Sequence, residues 1–487
     1  MASVWFPAQP DEDAPMSKMI QVPEHFQGLV QPIQEVLTVS QQWRAQMGGG
    51  RSVDYGQVER DVAATVAQLE RAVHQALLQR LDIDCARVLI KGHPHVRVGR
   101  YPATYYTMAG PVQVERSLYR EQGERGGKTV DAVSLRAGVV EDGWLPQTAA
   151  AMAFLMQQGT SREAAATAES QGRLPYSRCS FDRIGHAVGQ QYVQNNLHVE
   201  QRLIEEYQVP AEATGVSVSI DRVSVPMEEP NPNPPSRPAE EKPKKEILRC
   251  HRMAYCGTVT VHDHKGEALH TIRYGRMPQG DAVGLVEGLS SDVDMMRAQR
   301  PDLQVTLLSD GAKELWDLMD EQLNPDTLHT DVVRLVDMWH LVEKLTGAAA
   351  LMFGAAAPRE VGRWKLLLLN DSQAAEKIRD ELLGSAKRWV RVGEGRPVQE
   401  AITYLQNHAD QMDYATARQQ GRPIGSGGVE ATCKSLVSVR MKRPGSRWKE
   451  PTGEHIIQLR ALGLSDRWTQ AMHLTLAPLR VPVERAA

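Results

Sequence analysis

Between residues 214 and 346, strand-like and helix-like hydrophobic patterns follow one another in an order that few folds can accommodate. Apolar residues in alternation predict strands, and apolar residues at helical spacing predict helices. The predicted strands cover 214–225, 253–262, 268–276, 303–309 and 332–336. The predicted helices cover 279–298, 311–323 and 338–346. Three consecutive strands followed by alternating helices and strands indicate an α/β domain built on a mixed sheet.

The rest of the chain divides into segments of different composition and periodicity. At 487 residues it exceeds the usual size of one domain, so several domains are expected. We predict a loosely ordered segment at 1–50, a helix with a small β region at 51–135, a helical region at 136–210, the first part of the α/β core at 211–350, a helical insertion at 351–423, and a Glu-bearing helix, a basic segment and C-terminal helices at 424–487. The region before the core is thus α+β, and the order of elements in the core is that of an RNase H-like mixed sheet.

Two segments outside the core pattern have predicted roles. The short helices of 136–210 are compatible with a helix-turn-helix that reads DNA and equally with a plain helical bundle. The segment 227–245 is dense in Pro, Glu, Asn and Lys, and proline cannot donate a hydrogen bond to a sheet. We therefore predict a long solvated loop there, at the tip of the hairpin formed by the first two strands.

Three carboxylates stand where a phosphoryl-transfer site would need them. Asp221 follows the first predicted strand, Asp310 ends the fourth, and Glu430 follows the glycine-rich turn Gly425–Gly428. Phosphodiester chemistry is served by a pair of divalent ions, and Mg²⁺ takes oxygen ligands. A single such acidic residue is more often a turn residue or surface charge. Their combination predicts a catalytic site in which Asp221, Asp310 and Glu430 hold two Mg²⁺ or Mn²⁺ ions.

A fourth cluster follows the last predicted strand of the core. Asp337 and His340 lie in the segment Leu335–Glu343, where a strand end leads into a helix. They could lie near the metal or accept a proton. Capping of the helix and hydrogen bonding to the main site are the favoured roles, so we predict Asp337 and His340 as supporting residues.

A basic segment follows Glu430 and reverses the overall charge of the chain, which is −4. Between residues 434 and 449 there is no acidic residue and there are six basic ones: Lys434, Arg440, Lys442, Arg443, Arg447 and Lys449. On a helix Glu430, Lys434 and Val437 would share one face, which places a cation beside the carboxylates. We predict that the six residues bind DNA phosphates, with a solvated charged face as the simpler alternative. Trp448 could stack on an unpaired base, but core packing is favoured.

Other features exclude several classes of protein. Five cysteines are few and odd in number, which argues against a disulfide framework and for a reducing compartment. The spacing of Cys250, His251, Cys256 and His262 fits no compact zinc motif. Gly425–Gly428 lacks the Lys-Ser/Thr of a phosphate-binding loop. The chain start does not look like a signal peptide and no apolar stretch could span a bilayer, so we expect a cytoplasmic protein that does not bind membranes.

The motifs around the carboxylates resemble a family. The segment Gly425–Trp448 resembles the third-carboxylate region of bacterial insertion-sequence transposases of the ISKra4 type, and Leu308–Gly311 and Val336–His340 also resemble that family. The resemblance covers about residues 100–465. It implies a DDE triad of Asp221, Asp310 and Glu430 on an RNase H-like fold, with cleavage and joining of transposon ends.

The expected partner is double-stranded DNA, both at terminal inverted repeats and at the target. Because two ends must be joined together, a homo-oligomer is expected when DNA ends are bound. Two alternatives stay open at this point. The chain could be an RNase H-like nuclease that hydrolyses without strand transfer, or a non-catalytic DNA-binding protein derived from a transposase.

Overall fold

The structure is a computed structural model that describes residues 2–4, 20–48, 50–124, 126–231, 247–386 and 396–486. The fold is mixed α/β. The chain forms two compact units. One comprises Met1–Gln191 with Met472–Ala487, and the other comprises Tyr192–Ala471. Each unit contains its own five-stranded sheet.

The elements that precede the core sheet include six strands and seven α-helices within the described residues. In chain order they are β1 (Ala2–Val4), β2 (Ile20–Val22), α1 (Val30–Met47), α2 (Tyr55–Gln79), β3 (Arg87–Ile90), β4 (His93–Thr107), β5 (Gly110–Glu121), β6 (Val130–Asp131), α3 (Ala132–Ala137), α4 (Pro146–Gln158), α5 (Ser161–Ser170), α6 (Arg178–Val193) and α7 (Asn196–Glu205). The long helix, the small β region and the three later helices agree with the patterns in the sequence.

The N-terminal segment 1–50 corrects one prediction. It was expected to be loosely ordered, yet α1 occupies Val30–Met47. The helix packs against α2, and such packing decides helix formation more often than composition does. The prediction is therefore wrong for the second half of the segment. Residues 5–19 lie outside the described residues.

The elements from residue 215 onward build the second unit and then return to the first. They are β7 (Gly215–Pro230), β8 (Ile247–His262), β9 (Ala268–Arg276), α8 (Ala282–Gln299), β10 (Gln304–Ser309), α9 (Lys313–Asp320), α10 (Pro325–Leu328), β11 (Val332–Val336), α11 (Met338–Phe353), α12 (Ala357–Asn370), α13 (Ala374–Ala386), α14 (Pro397–Asn407), α15 (Tyr414–Gln419), α16 (Gly427–Thr432), α17 (Val439–Met441), α18 (Glu450–Leu464), α19 (Trp468–Leu476) and β12 (Val483–Arg485). In the first unit β12 joins the antiparallel sheet β12-β3-β4-β5-β6.

The sheet of the second unit has the strand order β11-β10-β7-β8-β9. β7, β10 and β11 are parallel, whereas β8 and β9 run antiparallel to their neighbours. All five strands predicted in the core are therefore present. The helices α12 to α15 lie between the last strand and Glu430, where a helical insertion was expected.

The two faces of this sheet differ in chemistry, because successive residues of a strand point to opposite sides. One face is apolar: Val216, Val218 and Ile220 of β7 belong to the same buried cluster as Leu285 and Leu289 of α8. The other face carries buried hydroxyl groups, namely Ser217, Ser219, Thr258, Thr260 and Thr306. We call this second side the hydroxyl face. The helices α16 and α18 pack on it.

The hairpin of β7 and β8 is longer than the sequence predicts. β7 continues to Pro230, so the predicted loop at 227–245 is wrong for Met227–Pro230. The Pro226 carbonyl accepts from the Trp448 N–H at 3.1 Å, and the Glu228 N–H donates to the Trp448 carbonyl at 2.8 Å. The backbone N–H and C=O groups of residues 226 and 228 thus point away from β8. Because proline lacks only an N–H group, Pro226 removes no hydrogen bond between β7 and β8. Residues 232–246 lie outside the described part.

His262, at the end of β8, is buried. Its Nδ1 lies 3.1 Å from the Gly266 carbonyl, which fixes the proton on Nδ1. Its Nε2 lies 2.6 Å from the Ser217 hydroxyl and accepts from it. Burial lowers the pKa of His262 to about 4. The imidazole is therefore neutral in the folded protein at pH 6, where much of it would be charged after unfolding.

This histidine makes the folded protein sensitive to acid. A His whose pKa is lowered by folding contributes stability that is complete above pH 6.5 and is lost as the pH falls towards 4. The shift corresponds to about 3 kcal/mol. Between pH 7 and pH 4 we expect the free energy of unfolding of His262→Asn to fall by about 3 kcal/mol less than that of the wild type. Urea unfolding at each pH measures the difference. Equal pH slopes for the two proteins would show that His262 is not the sensitive group.

Candidate active site

Asp221 and Asp310 lie at the same level on neighbouring strands. Asp221 is in the middle of β7, and Asp310 directly follows β10. The parallel register pairs Leu308 with Ser219, so extending it by two residues brings Asp310 opposite Asp221. Strands in a sheet are about 4.8 Å apart, and paired residues share a face. Both carboxylates are therefore placed on the hydroxyl face, and both are half-buried.

Asp221 is fixed by its own strand and by the helical segment above it. One oxygen, Oδ1, accepts from the Arg222 backbone N–H at 2.6 Å. The other, Oδ2, lies 3.4 Å from the thiol of Cys433, which donates to it. A hydrogen bond with Cys256, burial and the Asp221 charge raise the pKa of Cys433 far above the ordinary value. The thiol therefore stays protonated and remains a donor to Asp221.

The turn that carries Asp310 is held by the helical insertion. Gly311 has a φ of +90°, which a residue with a side chain rarely adopts. The Tyr404 hydroxyl of α14 donates to the Asp310 carbonyl at 2.8 Å. A β-carbon added to Gly311 would lie 2.9 Å from His408 Nε2. Burial and the charges of Asp310 and Asp337 raise the pKa of Tyr404 well above its usual range, so it is a neutral donor.

Asp337 connects the end of β11 to the segment that leads to Glu430. The residue is fully buried. Its Oδ1 accepts from the backbone N–H groups of Trp339, at 2.5 Å, and His340, at 3.1 Å. Its Oδ2 accepts from the backbone N–H of Ser426 and, at 2.6 Å, from the Ser426 hydroxyl. Asp337 therefore caps α11 and ties the glycine-rich turn to the sheet.

Glu430 lies on α16, directly after this turn, and its side chain is half exposed at 49%. Its Oε1 lies 3.2 Å from His340 Nε2. His340 is on α11, one residue after Trp339, so the same short segment contacts both Asp337 and Glu430. His340 therefore lies beside the Glu430 carboxylate, and Asp337 contacts the turn that precedes Glu430.

The helix after Glu430 departs from regular α-helical geometry. Cys433–Ser438 forms a π-helical turn, a feature that is frequent at functional sites. Lys434 is exposed, whereas Val437 is fully buried. The expectation that Glu430, Lys434 and Val437 share one face is therefore wrong, because a π-helical turn changes the spacing of residues along the helix.

The basic segment is only partly available to a ligand. Arg440 is 4% exposed, and its guanidinium lies 5.0 Å from the ring centroid of Trp448. The prediction that Arg440 binds DNA is therefore wrong: burial under Trp448 uses its cation inside the fold. Trp448 itself packs against a buried cluster and donates to the Met441 carbonyl at 3.0 Å, which is the core role. The other five residues are exposed or half-exposed: Lys434, Lys442, Arg443, Arg447 and Lys449.

The three carboxylates have the donor chemistry that a hard divalent ion takes, since all their ligand atoms are oxygen. Asp310 Oδ2 and Glu430 Oε2 accept no hydrogen bond from any described residue. Within the described ranges, however, no group of three or more His, Cys, Asp or Glu side chains is arranged to hold a metal ion. The three residues offer the oxygen atoms that such an ion takes and lie on one face of the sheet, but the structure does not bring them together around one point.

Several residues beside the carboxylates gave little signal in the sequence. Tyr404 and His408 lie 94 and 98 residues after Asp310, on an insertion whose sequence pattern shows only that it is helical. Ser426 falls within the glycine-rich motif, but its contact with Asp337 depends on the tertiary fold. Cys433 lies three residues after Glu430, and only that spacing could have indicated it.

Comparisons with known proteins add no assignment. No protein-family model matches the chain, and no curated protein matches it significantly. Among the helices that the structure describes, none has both the length and the apolar character needed to cross a membrane.

Proposed function

We propose that the protein is a DDE transposase that cleaves DNA strands at transposon ends and joins them to a target. The observation that carries this proposal is the placement of Asp221 and Asp310 at one level of neighbouring strands, with the Glu430 helix packed on the same face of the sheet. The strand order β11-β10-β7-β8-β9, with β8 and β9 antiparallel, supports an RNase H-like core.

In this proposal Asp221, Asp310 and Glu430 would hold two Mg²⁺ or Mn²⁺ ions. Such ions acidify the attacking oxygen and stabilise the leaving oxygen of a phosphodiester. The Cys433 thiol and the Arg222 N–H orient the carboxylate of Asp221. Tyr404 fixes the turn of Asp310, and Asp337 fixes the turn before Glu430. His340 holds the carboxylate of Glu430 at the edge of the site.

DNA would reach this site along the exposed cations that follow Glu430. Of the six basic residues, Arg440 is buried against Trp448. Lys442, Arg447 and Lys449 are exposed. Each phosphate neutralised by such a side chain releases counterions, which makes affinity depend on salt. A homo-oligomer would bring two ends together on the DNA.

The salt dependence gives a direct test of this surface. We expect the double variant Lys442→Ala/Arg447→Ala to weaken DNA binding and to reduce the slope of log affinity against log salt by about 2. Lys313→Ala/Lys377→Ala is a matched control, because both lysines are exposed and paired with Asp317 and Asp371. Equal slopes for the double variant and the wild type would exclude these residues from the DNA interface.

The activity itself is tested with a labelled duplex that carries the DNA flanking the coding region. In Mg²⁺ we expect a nick that leaves a 3′ hydroxyl at the element end, followed by joined products with a target plasmid. Nicks without joined products would support a nuclease instead. Salt-dependent binding with no metal-dependent cleavage would support a non-catalytic protein derived from a transposase.

A further inference from the structure

Trp339 is the most exposed tryptophan among the described residues. The residue is 52% exposed, whereas Trp144, Trp316 and Trp364 are buried. A large apolar ring left in water at the edge of a polar site is unusual, because burial of such a ring is favourable. The ring therefore has a free surface that could take a flat ligand.

The position of Trp339 is set by the same contacts that build the candidate active site. Its backbone N–H donates to Asp337 Oδ1 at 2.5 Å, and the next residue, His340, contacts Glu430. A β-carbon added to Gly425 would lie 3.0 Å from the indole Cδ1. The ring thus packs against the turn that leads to Glu430, and the glycine permits that close approach.

A cation accompanies the ring. Lys365 of α12 has its Nζ 5.3 Å from the centroid of Trp339. No described carboxylate forms an ion pair with Lys365. An aromatic face beside an uncompensated ammonium is the combination that binds a single-stranded nucleotide, since the base stacks and the phosphate meets the cation.

We propose that Trp339 stacks on a base that is unpaired next to the phosphate to be cut, and that Lys365 contacts the adjoining phosphate. This role rests on the proposed function and deepens it, because it assigns a position for an unpaired nucleotide at the Glu430 side of the site. Every base has a π-face, so the contact would act without sequence preference. The role that the sequence left open for Trp448 thus falls to a different tryptophan.

The test compares Trp339→Ala, Trp339→Phe and the control Leu366→Ala. Leu366 is also an exposed apolar residue, but it lies on α12 rather than on α11. Binding is measured in EDTA, so that it does not depend on cleavage. For a flanking-DNA duplex with unpaired bases at the element end, we expect Trp339→Ala to bind about 5- to 150-fold more weakly. Trp339→Phe should retain most of the affinity, and Leu366→Ala should match the wild type.

A spectroscopic readout separates stacking from a structural role. 2-Aminopurine, placed at the unpaired position, is quenched when it stacks. We expect quenching by the wild type and by Trp339→Phe, and bright emission with Trp339→Ala at saturating protein. Quenching that is unchanged in Trp339→Ala would overturn the proposal, as would equal affinity of the two proteins.

The two proposals fail in different ways. Quenching that depends on Trp339 without any cleavage in Mg²⁺ would leave the stacking role standing and contradict the transposase. Cleavage and joining with quenching unchanged in Trp339→Ala would leave the transposase standing and contradict the stacking role. Absence of all DNA binding would contradict both.

Discussion

Replacing Asp310 with Ala is expected to slow strand cleavage in Mg²⁺ at least about a thousandfold, while DNA affinity changes by less than about threefold. Metal ions contribute several kcal/mol of transition-state stabilisation, and each 1.4 kcal/mol is a factor of ten in rate. Asp310 is half-buried at the sheet and lies apart from the basic segment in sequence, so its loss should spare binding. Single-turnover cleavage of an end-labelled duplex measures the rate.

Asp263→Ala is a matched control for this variant. Both aspartates follow a strand, and in each an Oδ1 atom accepts from the backbone N–H two residues later, at 2.8 Å in Asp263 and 2.9 Å in Asp310. Asp263 lies in the turn after β8 rather than at the β7–β10 level. We expect Asp263→Ala to cleave at the wild-type rate. Cleavage by Asp310→Ala at a comparable rate would contradict the assignment of the site.

Replacing Asp337 with Ala is expected to lower the free energy of unfolding by about 3–5 kcal/mol. The fully buried carboxylate accepts four hydrogen bonds, and its removal leaves buried donors without partners. The same change releases the turn before Glu430, so cleavage should fall even under conditions where the protein is folded. Denaturant unfolding and single-turnover cleavage measure the two effects.

Ser426→Ala separates the two roles of Asp337: the tether, which is its contact with the glycine-rich turn, and the cap, which is its contact with the start of α11. It removes one hydroxyl donor to Asp337 and leaves the Trp339 and His340 bonds in place, so we expect a loss of about 1 kcal/mol. A larger effect on cleavage than on stability would show that the tether positions Glu430. If Asp337→Ala unfolds at the same denaturant concentration as the wild type, the buried carboxylate is not the connection that we describe.

The core sheet could be predicted from the sequence because its signals are local. The strands β7 to β11 alternate or form short apolar runs bounded by turn residues. These patterns predicted β9, β10 and β11 to within one residue, whereas β7 ends five residues later and β8 begins six residues earlier than predicted. The extension of β7 through Pro226 to Pro230 could not be predicted. It depends on a backbone pairing with Trp448, more than 200 residues later.

The sequence predicts the three carboxylates of the candidate site but not the residues that contact them. Asp221 and Asp310 stand at recognisable places in a strand pattern, and Glu430 follows a glycine-rich turn. Arg440 is buried against Trp448, and His262 is buried beside Ser217. Both contacts depend on the tertiary fold and leave no local pattern in the sequence. A helix-period pattern also cannot distinguish an α-helix from the π-helical turn at Cys433–Ser438.

The claim that Asp221, Asp310 and Glu430 hold a divalent ion is tested most directly by iron-mediated cleavage of the protein backbone. Fe²⁺ replaces Mg²⁺ in the DNA-bound protein, and ascorbate with peroxide then generates hydroxyl radicals that cut the chain beside the metal. We predict three groups of cuts, near residues 221, 310 and 430, which excess Mg²⁺ suppresses and Asp221→Ala abolishes. Cuts confined to other parts of the chain, or cuts that Mg²⁺ does not suppress, would contradict the account.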